Sequence, residues 1–254
     1  MNSGFPGAQS PARLVAVLRL IAGHHVQGLA INELAQLAGL NRTTARRLLM
    51  VLTQSGFAAK DESSGRYRLG VEAMFTGMSA MTKPPIFEAC RPAMERIARR
   101  TGHSVFLIVR IGDFAHCLHV EAGDHPLHAH SLMTGQIRLL GQGTASLALA
   151  ATLRDRELKQ IYERRCLDYE AAGITQDRLW QMVAFTRKLQ HSESENLLTT
   201  GAVGIGVAIR VQADHVAAIS VATHASRMTD EHKEAALRVL EEELQTPAIR
   251  LFGY

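Results

Sequence analysis

Between residues 12 and 22 the apolar side chains Leu14, Val17, Leu18 and Ile21 recur at the i, i+3, i+4, i+7 spacing of an amphipathic helix. A shorter stripe follows in INELAQLA, residues 31–38, with Leu34, Ala35 and Ala38 on one side. Gly39 stands where a left-handed residue ends a helix. Asn41 suits an N-cap, and Ala45, Leu48, Leu49, Val51 and Leu52 mark the inward stripe of a third helix running to about Ser55. Helix, short helix, glycine turn, helix is the order of a helix-turn-helix. After Gly56 the period falls from 3.6 to 2. Residues 57–60 and 66–69 read as strands joined by the polar turn 61–65, a hairpin placed where a winged helix carries its wing.

Further along, VEAMFTGMSAMT, residues 71–82, predicts a helix that Lys83, Pro84 and Pro85 interrupt. The expected organisation is a head over 1–70, a linker helix and hinge over 71–85, and a larger domain over 86–254. In the larger part a helix over 86–101 has Phe87, Cys90, Met94 and Ile97 or Ala98 inward. Strand-like segments follow at 104–111, 115–121 and 126–132, helical ones near 143–165 and 177–191, strands at 204–211 and 215–223, and a charged helix from Thr229 to about Leu244. That order predicts an α+β domain built on an antiparallel sheet covered by helices.

Charge sharpens the division. Residues 1–80 hold 8 Lys+Arg against 4 Asp+Glu, whereas 81–254 hold 20 against 20, so the formal excess of +4 lies in the first third. A basic small segment beside a neutral larger one is what a polyanion-binding module joined to a second domain looks like. The three cysteines, Cys90, Cys117 and Cys166, form no CxxC pair, which argues against a disulfide framework or a cysteine zinc site and for a reducing, cytoplasmic setting. No apolar run approaches bilayer-spanning length, and Arg13 and Arg19 interrupt the first twenty residues, unlike a secretory signal.

The third helix opens with RTTARR, residues 42–47, and then turns apolar. In a helix-turn-helix the first turns of this helix face the major groove while the rest packs on its neighbours. Arg42, Arg46 and Arg47 can neutralise phosphates or donate bidentately to guanine, and Thr43 and Thr44 can bond phosphate oxygens or touch a thymine methyl. Lys60 and Arg66 extend the candidate DNA-binding set into the wing. Double-stranded DNA is the expected partner. Because one such helix reads only a few base pairs, a dimer on a palindromic operator is expected, with the helix at 71–82 fixing the spacing of its two heads.

The run AINELAQLAGLNRTTARRLLMVLTQSGFAAKDESSGRYRLG, residues 30–70, resembles the head of the IclR family of bacterial transcriptional regulators. It follows that family's aGL, polar, basic, S/T-T-x-x-RLL-x-x-L pattern, and then its GyV and G-[KR]-Y-x-LG. The resemblance implies a winged helix-turn-helix with Arg42, Thr43, Thr44 and Arg46 at the exposed recognition positions. It implies a GAF-like antiparallel-sheet domain that senses a small molecule, and self-association to a dimer or a tetramer. SVFLIVRIGDFAHCLHVEAG and HVAAISVATHASRMT are similar to the family's sheet segments. Where the family has LPLHCTALGKA this chain has RLLGQGTASLA, with Gln142, Gly143 and Leu147 at the Cys or Ala, Thr or Ser, and Lys positions. Gly204 and Ala222 replace further Cys or Ser and Ser residues.

By that resemblance the effector lining comprises His130, Met133, Gln142, Thr144, Ala145, Glu195, Gly204 and Ser220. Loss of hydroxyls, thiols and a cation predicts a smaller, more apolar pocket, suited to an aromatic or partly apolar organic acid or phenol. No cofactor, bound metal or membrane contact is expected.

An enzyme or a metal-sensing domain fused to the head is the alternative. His116, His119, His125, His128 and His130 cluster, and alternation on a strand puts Cys117, His119 and Glu121 on one face, a set able to hold zinc or copper. Hydrogen-bonding histidines at a pocket edge explain the cluster more simply. Ser146 lacks a GxSxG elbow, and GAVGIG, residues 201–206, runs into a strand without a GK[ST] end, so close strand packing suits its glycines better than phosphate.

Overall fold

The computed structural model describes residues 9–82, 85–125, 134–198, 200–211 and 215–254, and the chain divides into two compact units, 1–84 and 85–254. In the first unit α1 (Gln9–Gly23), α2 (Ile31–Ala38) and α3 (Arg42–Gln54) enclose a small core of Val17, Ile21, Leu34, Ala45, Leu48, Leu49 and Leu52. The α3 stripe is therefore Ala45, Leu48, Leu49 and Leu52 at i, i+3, i+4, i+7. Val51, expected inside, lies off it and is about half exposed. Gly39 ends α2 at φ 62°, which an L side chain adopts only with strain. Asn41 caps α3 by accepting the Thr44 N–H at 2.7 Å.

The wing consists of β1 (Ala58–Lys60) and β2 (Tyr67–Leu69), paired antiparallel with Ala59 opposite Arg68. Leu29 and Tyr67 exchange backbone hydrogen bonds at 3.0 and 2.8 Å, which stitch the wing to the segment that leads into α2. Helix α4 (Val71–Thr82) follows.

The second unit opens with α5 (Pro85–Thr101) and is organised around one antiparallel sheet. Its strands are β3 (Ser104–Ile111), β4 (Phe114–Glu121), β5 (Ile137–Leu139), β6 (Ser192–Glu195), β7 (Ala202–Val211), β8 (His215–His224) and β9 (Ile249–Leu251), in the order β5-β4-β3-β8-β7-β6 with β9 also on β7. Side-chain alternation divides the sheet between two cores. Val105, Leu107, Ile205, Val207, Ile219 and Val221 meet α5 and α10 (Asp230–Glu243) on one face. Phe106, Ile108, Ala208 and Ala218 meet α6 (Thr144–Ala151), α7 (Asp155–Arg164), α8 (Cys166–Ala171) and α9 (Gln176–Leu189) on the other.

Three short strands, β5, β6 and β9, lie in stretches that carry no extended apolar alternation, and the helical stretch expected near 143–165 is broken after Ala151. Arg187 on α9 donates to the carbonyls of Ala151 and Leu153, groups that a continuing helix would have used for itself. The expected strand at 126–132 falls on residues outside those described.

Candidate DNA-reading surface and ligand cavity

On the head, burial separates the two jobs of α3. Ala45, Leu48 and Leu49 are buried, whereas Arg42, Thr43, Arg46 and Arg47 are exposed and Thr44 is half-buried. The exposed set covers the first turns, where the helix dipole adds positive potential for a phosphate or a base edge. Lys60 is exposed and only loosely joined to Glu62 at 3.4 Å, a pair that a phosphate can displace.

Arg66 is held more firmly than Lys60. Its Nη2 donates to Glu33 Oε2 at 2.7 Å and its Nε to Gln27 O at 3.1 Å, while Glu33 also accepts the Ala30 N–H at 3.0 Å. Its guanidinium thus ties the wing to the start of α2. The hydrogen bond from Ala30 and then that from Arg66 hold the Glu33 carboxyl below its ordinary value.

In the second unit a cavity opens between α6 and the sheet, with a void of about 620 Å³ when its open mouth is included. Of the eight residues expected to line it, Gln142, Thr144, Ala145, Gly204 and Ser220 do so. His130 and Met133 lie outside the described residues. Glu195 is excluded by strand alternation: Ser192 and Ser194 of β6 face α6, so Glu195 faces away and is exposed. Ser194 takes its place, with its Oγ 2.6 Å from Thr144 Oγ1. The approach of α6 is so close that a Cβ on Gly204 would sit 2.4 Å from Thr144 Oγ1.

Walls of Phe106, Ile108, Leu197 and Leu198 give the cavity an apolar body. The lining nevertheless keeps more polarity than the family substitutions implied. Ser146, Ser194, Thr144 and Ser220 supply hydroxyls, and Arg138 on β5 supplies a cation. Ser146 is already committed, accepting the Gly141 N–H at 3.0 Å and donating to Leu139 O at 2.8 Å. Arg138 and Ser194 were missed because they sit on the two short edge strands. The signals available were Arg138 at the first position of RLLGQGTASLA and the period-two pattern of SESE.

The histidine cluster disperses. Leu107 of β3 faces His119 and Ile108 faces Cys117, so a bulge at Leu118 interrupts the alternation. Cys117 therefore joins the α6 side of the sheet while His119 lies on the α5 side against Phe87, ring centroids 4.5 Å apart. Burial pushes the Cys117 thiol up to about 12 and lowers the His116 pKa. Among the described residues no group of three or more His, Cys, Asp or Glu is placed to hold a metal ion, and His128 and His130 lie outside those residues. No described helix is long and apolar enough to cross a membrane.

A winged helix-turn-helix, joined to a helix-covered antiparallel sheet with a cavity under α6, is the architecture of a DNA-binding transcriptional regulator with an effector domain. Residues 10–62 match the IclR helix-turn-helix domain, and residues 78–247 match the family described as bacterial transcriptional regulator IclR C-terminal. The chain belongs to the IclR family of bacterial transcriptional regulators, whose matched relatives are regulators and not enzymes.

The HTH-type transcriptional regulator KipR of Bacillus subtilis (strain 168) is 25% identical over 225 residues, 85% of this chain and 90% of its own length. An IclR family transcriptional regulator from Brucella abortus shares the fold with TM-score 0.68 at 19% identity, covering 92% of this chain and 89% of that one. An IclR homolog from Microbacterium hydrocarbonoxydans, solved in complex with 4-hydroxybenzoate, shares it with TM-score 0.54 at 17% identity, covering 93% and 99%.

Proposed function

We propose that this chain binds a palindromic operator as a dimer or a pair of dimers, and that an aromatic or partly apolar organic acid or phenol in the α6 cavity sets its operator affinity. The observation that carries the first part is the exposed face of Arg42, Thr43, Arg46 and Arg47 on α3, backed by a buried Ala45-Leu48-Leu49 stripe. The second part is supported by the apolar walls and few convergent polar groups of the cavity, and by the 4-hydroxybenzoate bound to the Microbacterium homolog. An effector that binds two arrangements of the protein unequally changes operator affinity by its differential binding energy.

Selection from a random-sequence DNA library at two salt concentrations, with a truncation lacking residues 1–82 as control, tests the DNA reading. An enriched palindrome retained only by the full chain is expected. Equal retention by the truncation would overturn it. For the ligand, thermal shift with matched panels of aromatic acids, phenols and small keto acids is decisive, because a ligand that binds only the folded state raises the melting temperature. Stabilisation by the keto acids alone would sink the proposed ligand class.

A further inference from the structure

Arg138 brings a positive charge into a cavity whose lining, among the described residues, contains no Asp or Glu. It lies in the middle of β5 directly opposite Ala115 of β4. Opposed residues of an antiparallel pair share a face, so Arg138 stands on the side of the sheet that carries Phe106 and Ile108, and the small Ala115 leaves it room. Its Nη2 donates to Gln136 Oε1 at 3.2 Å. Its Nε is buried and meets no hydrogen-bond partner among the described residues.

A buried guanidinium N–H without a partner is costly, and a carboxylate is the group whose two oxygens match the guanidinium fork. The same space receives the first turn of α6. The N-cap there, Gly143, offers no side chain, and Thr144, Ala145 and Ser146 all line the cavity. That helix end adds its partial positive charge to that of Arg138.

We propose that Arg138 is the specificity-determining residue of the cavity. It pairs with the carboxylate of the effector, so the cavity takes ionised carboxylic acids and rejects the neutral amide or phenol of the same body. The inference rests on the cavity being the effector site and narrows acid or phenol to acid.

The test uses the full chain without DNA, titrated calorimetrically near neutral pH with matched pairs: benzoate against benzamide, 4-hydroxybenzoate against phenol, and pyruvate against pyruvamide. Within at least one pair the acid is expected to bind about ten-fold or more tightly than its neutral partner, since a hydrogen bond to a charged group contributes about 1.5–3 kcal/mol. Arg138→Met should abolish that preference, and Arg138→Lys should restore part of it.

Neutral partners that bind as tightly as the acids, or an Arg138→Met protein that keeps the preference, would overturn the role of Arg138 and leave the effector reading intact. No binding of any probe, joined to no effect of any probe on operator binding, would overturn both. If Arg138→Met fails to fold, the comparison within pairs on the unmodified chain and on Arg138→Lys still decides.

Discussion

Single residues divide sharply between those whose chemistry was visible in the chain and those whose neighbours had to be seen. Arg46 is of the first kind. It belongs to a polar hexapeptide on a helix whose other face is apolar, and it emerges exposed. Arg46→Ala should weaken operator binding by about 1–3 kcal/mol and relax preference at one base pair if the contact is bidentate to a base. Equal weakening on every sequence with a shallower salt slope would mark a phosphate contact instead.

Arg66 is of the second kind, because its partner Glu33 is 33 residues away and no local pattern announces the pair. Gly204 was legible as a departure from the family pattern, but its physical reason was not. A Cβ there would meet the Thr144 hydroxyl of α6 at 2.4 Å and the Val221 carbonyl at 3.1 Å, so something must shift to admit it. Gly204→Ser should therefore destabilise the second unit by about 1–3 kcal/mol through overpacking, seen as a melting temperature several degrees lower, and should weaken any ligand in the cavity.

Among elements, legibility followed length and amphipathicity. Helices α1 to α5 carry an apolar stripe and strands β3, β7 and β8 a largely apolar run buried on both faces, and all emerged within three residues of the expected bounds. The three-residue strands β5 and β9 and the four-residue β6 carry too few positions to show a period, and the site residues Arg138 and Ser194 disappeared with them. A bulge is likewise silent in sequence, yet the one at Leu118 dispersed a credible metal set.

The turn between β3 and β4 shows how elements are joined. Asp113 accepts from Arg164 on α7 at 2.7 and 3.1 Å and lies 3.4 Å from Arg165. Burial alone would raise the Asp113 pKa, but the hydrogen bond and charge of Arg164, followed by the charge of Arg165, hold it below the ordinary aspartate value. A depressed folded pKa means stability that is fully present above the unfolded value, about pH 4, and lost as pH falls through the folded one. Asp113→Asn should lower the melting temperature at neutral pH, and its deficit should shrink as melts are run from pH 6 down to pH 3. A deficit independent of pH would show that the ion pairs are not its source.

At the scale of the whole molecule, the unexplained surface is on α4. Val71, Met74, Phe75 and Met78 recur at i, i+3, i+4, i+7 and each is more than half exposed. An apolar stripe of that kind supports the proposed pairing of two heads through the linker helix. The double variant Met74→Lys with Phe75→Glu should weaken binding to a full palindrome by about ten-fold or more, because it removes the gain from linking two half-sites. Half-site binding should stay nearly unchanged. Equal loss on both would point to damage within the head.

The alternation that sorts the sheet into two cores has a mechanical side. Gly204 and Ser220 wall the cavity, while their chain neighbours Ile205, Ile219 and Val221 are the floor on which α5 and α10 rest. The two faces share one backbone, only a peptide unit thick, and interiors packed this densely transmit displacement instead of absorbing it. A guest that shifts β7 or β8 by a few tenths of an ångström would therefore press on α5 from behind, and α5 begins at Pro85, the first residue of the second unit.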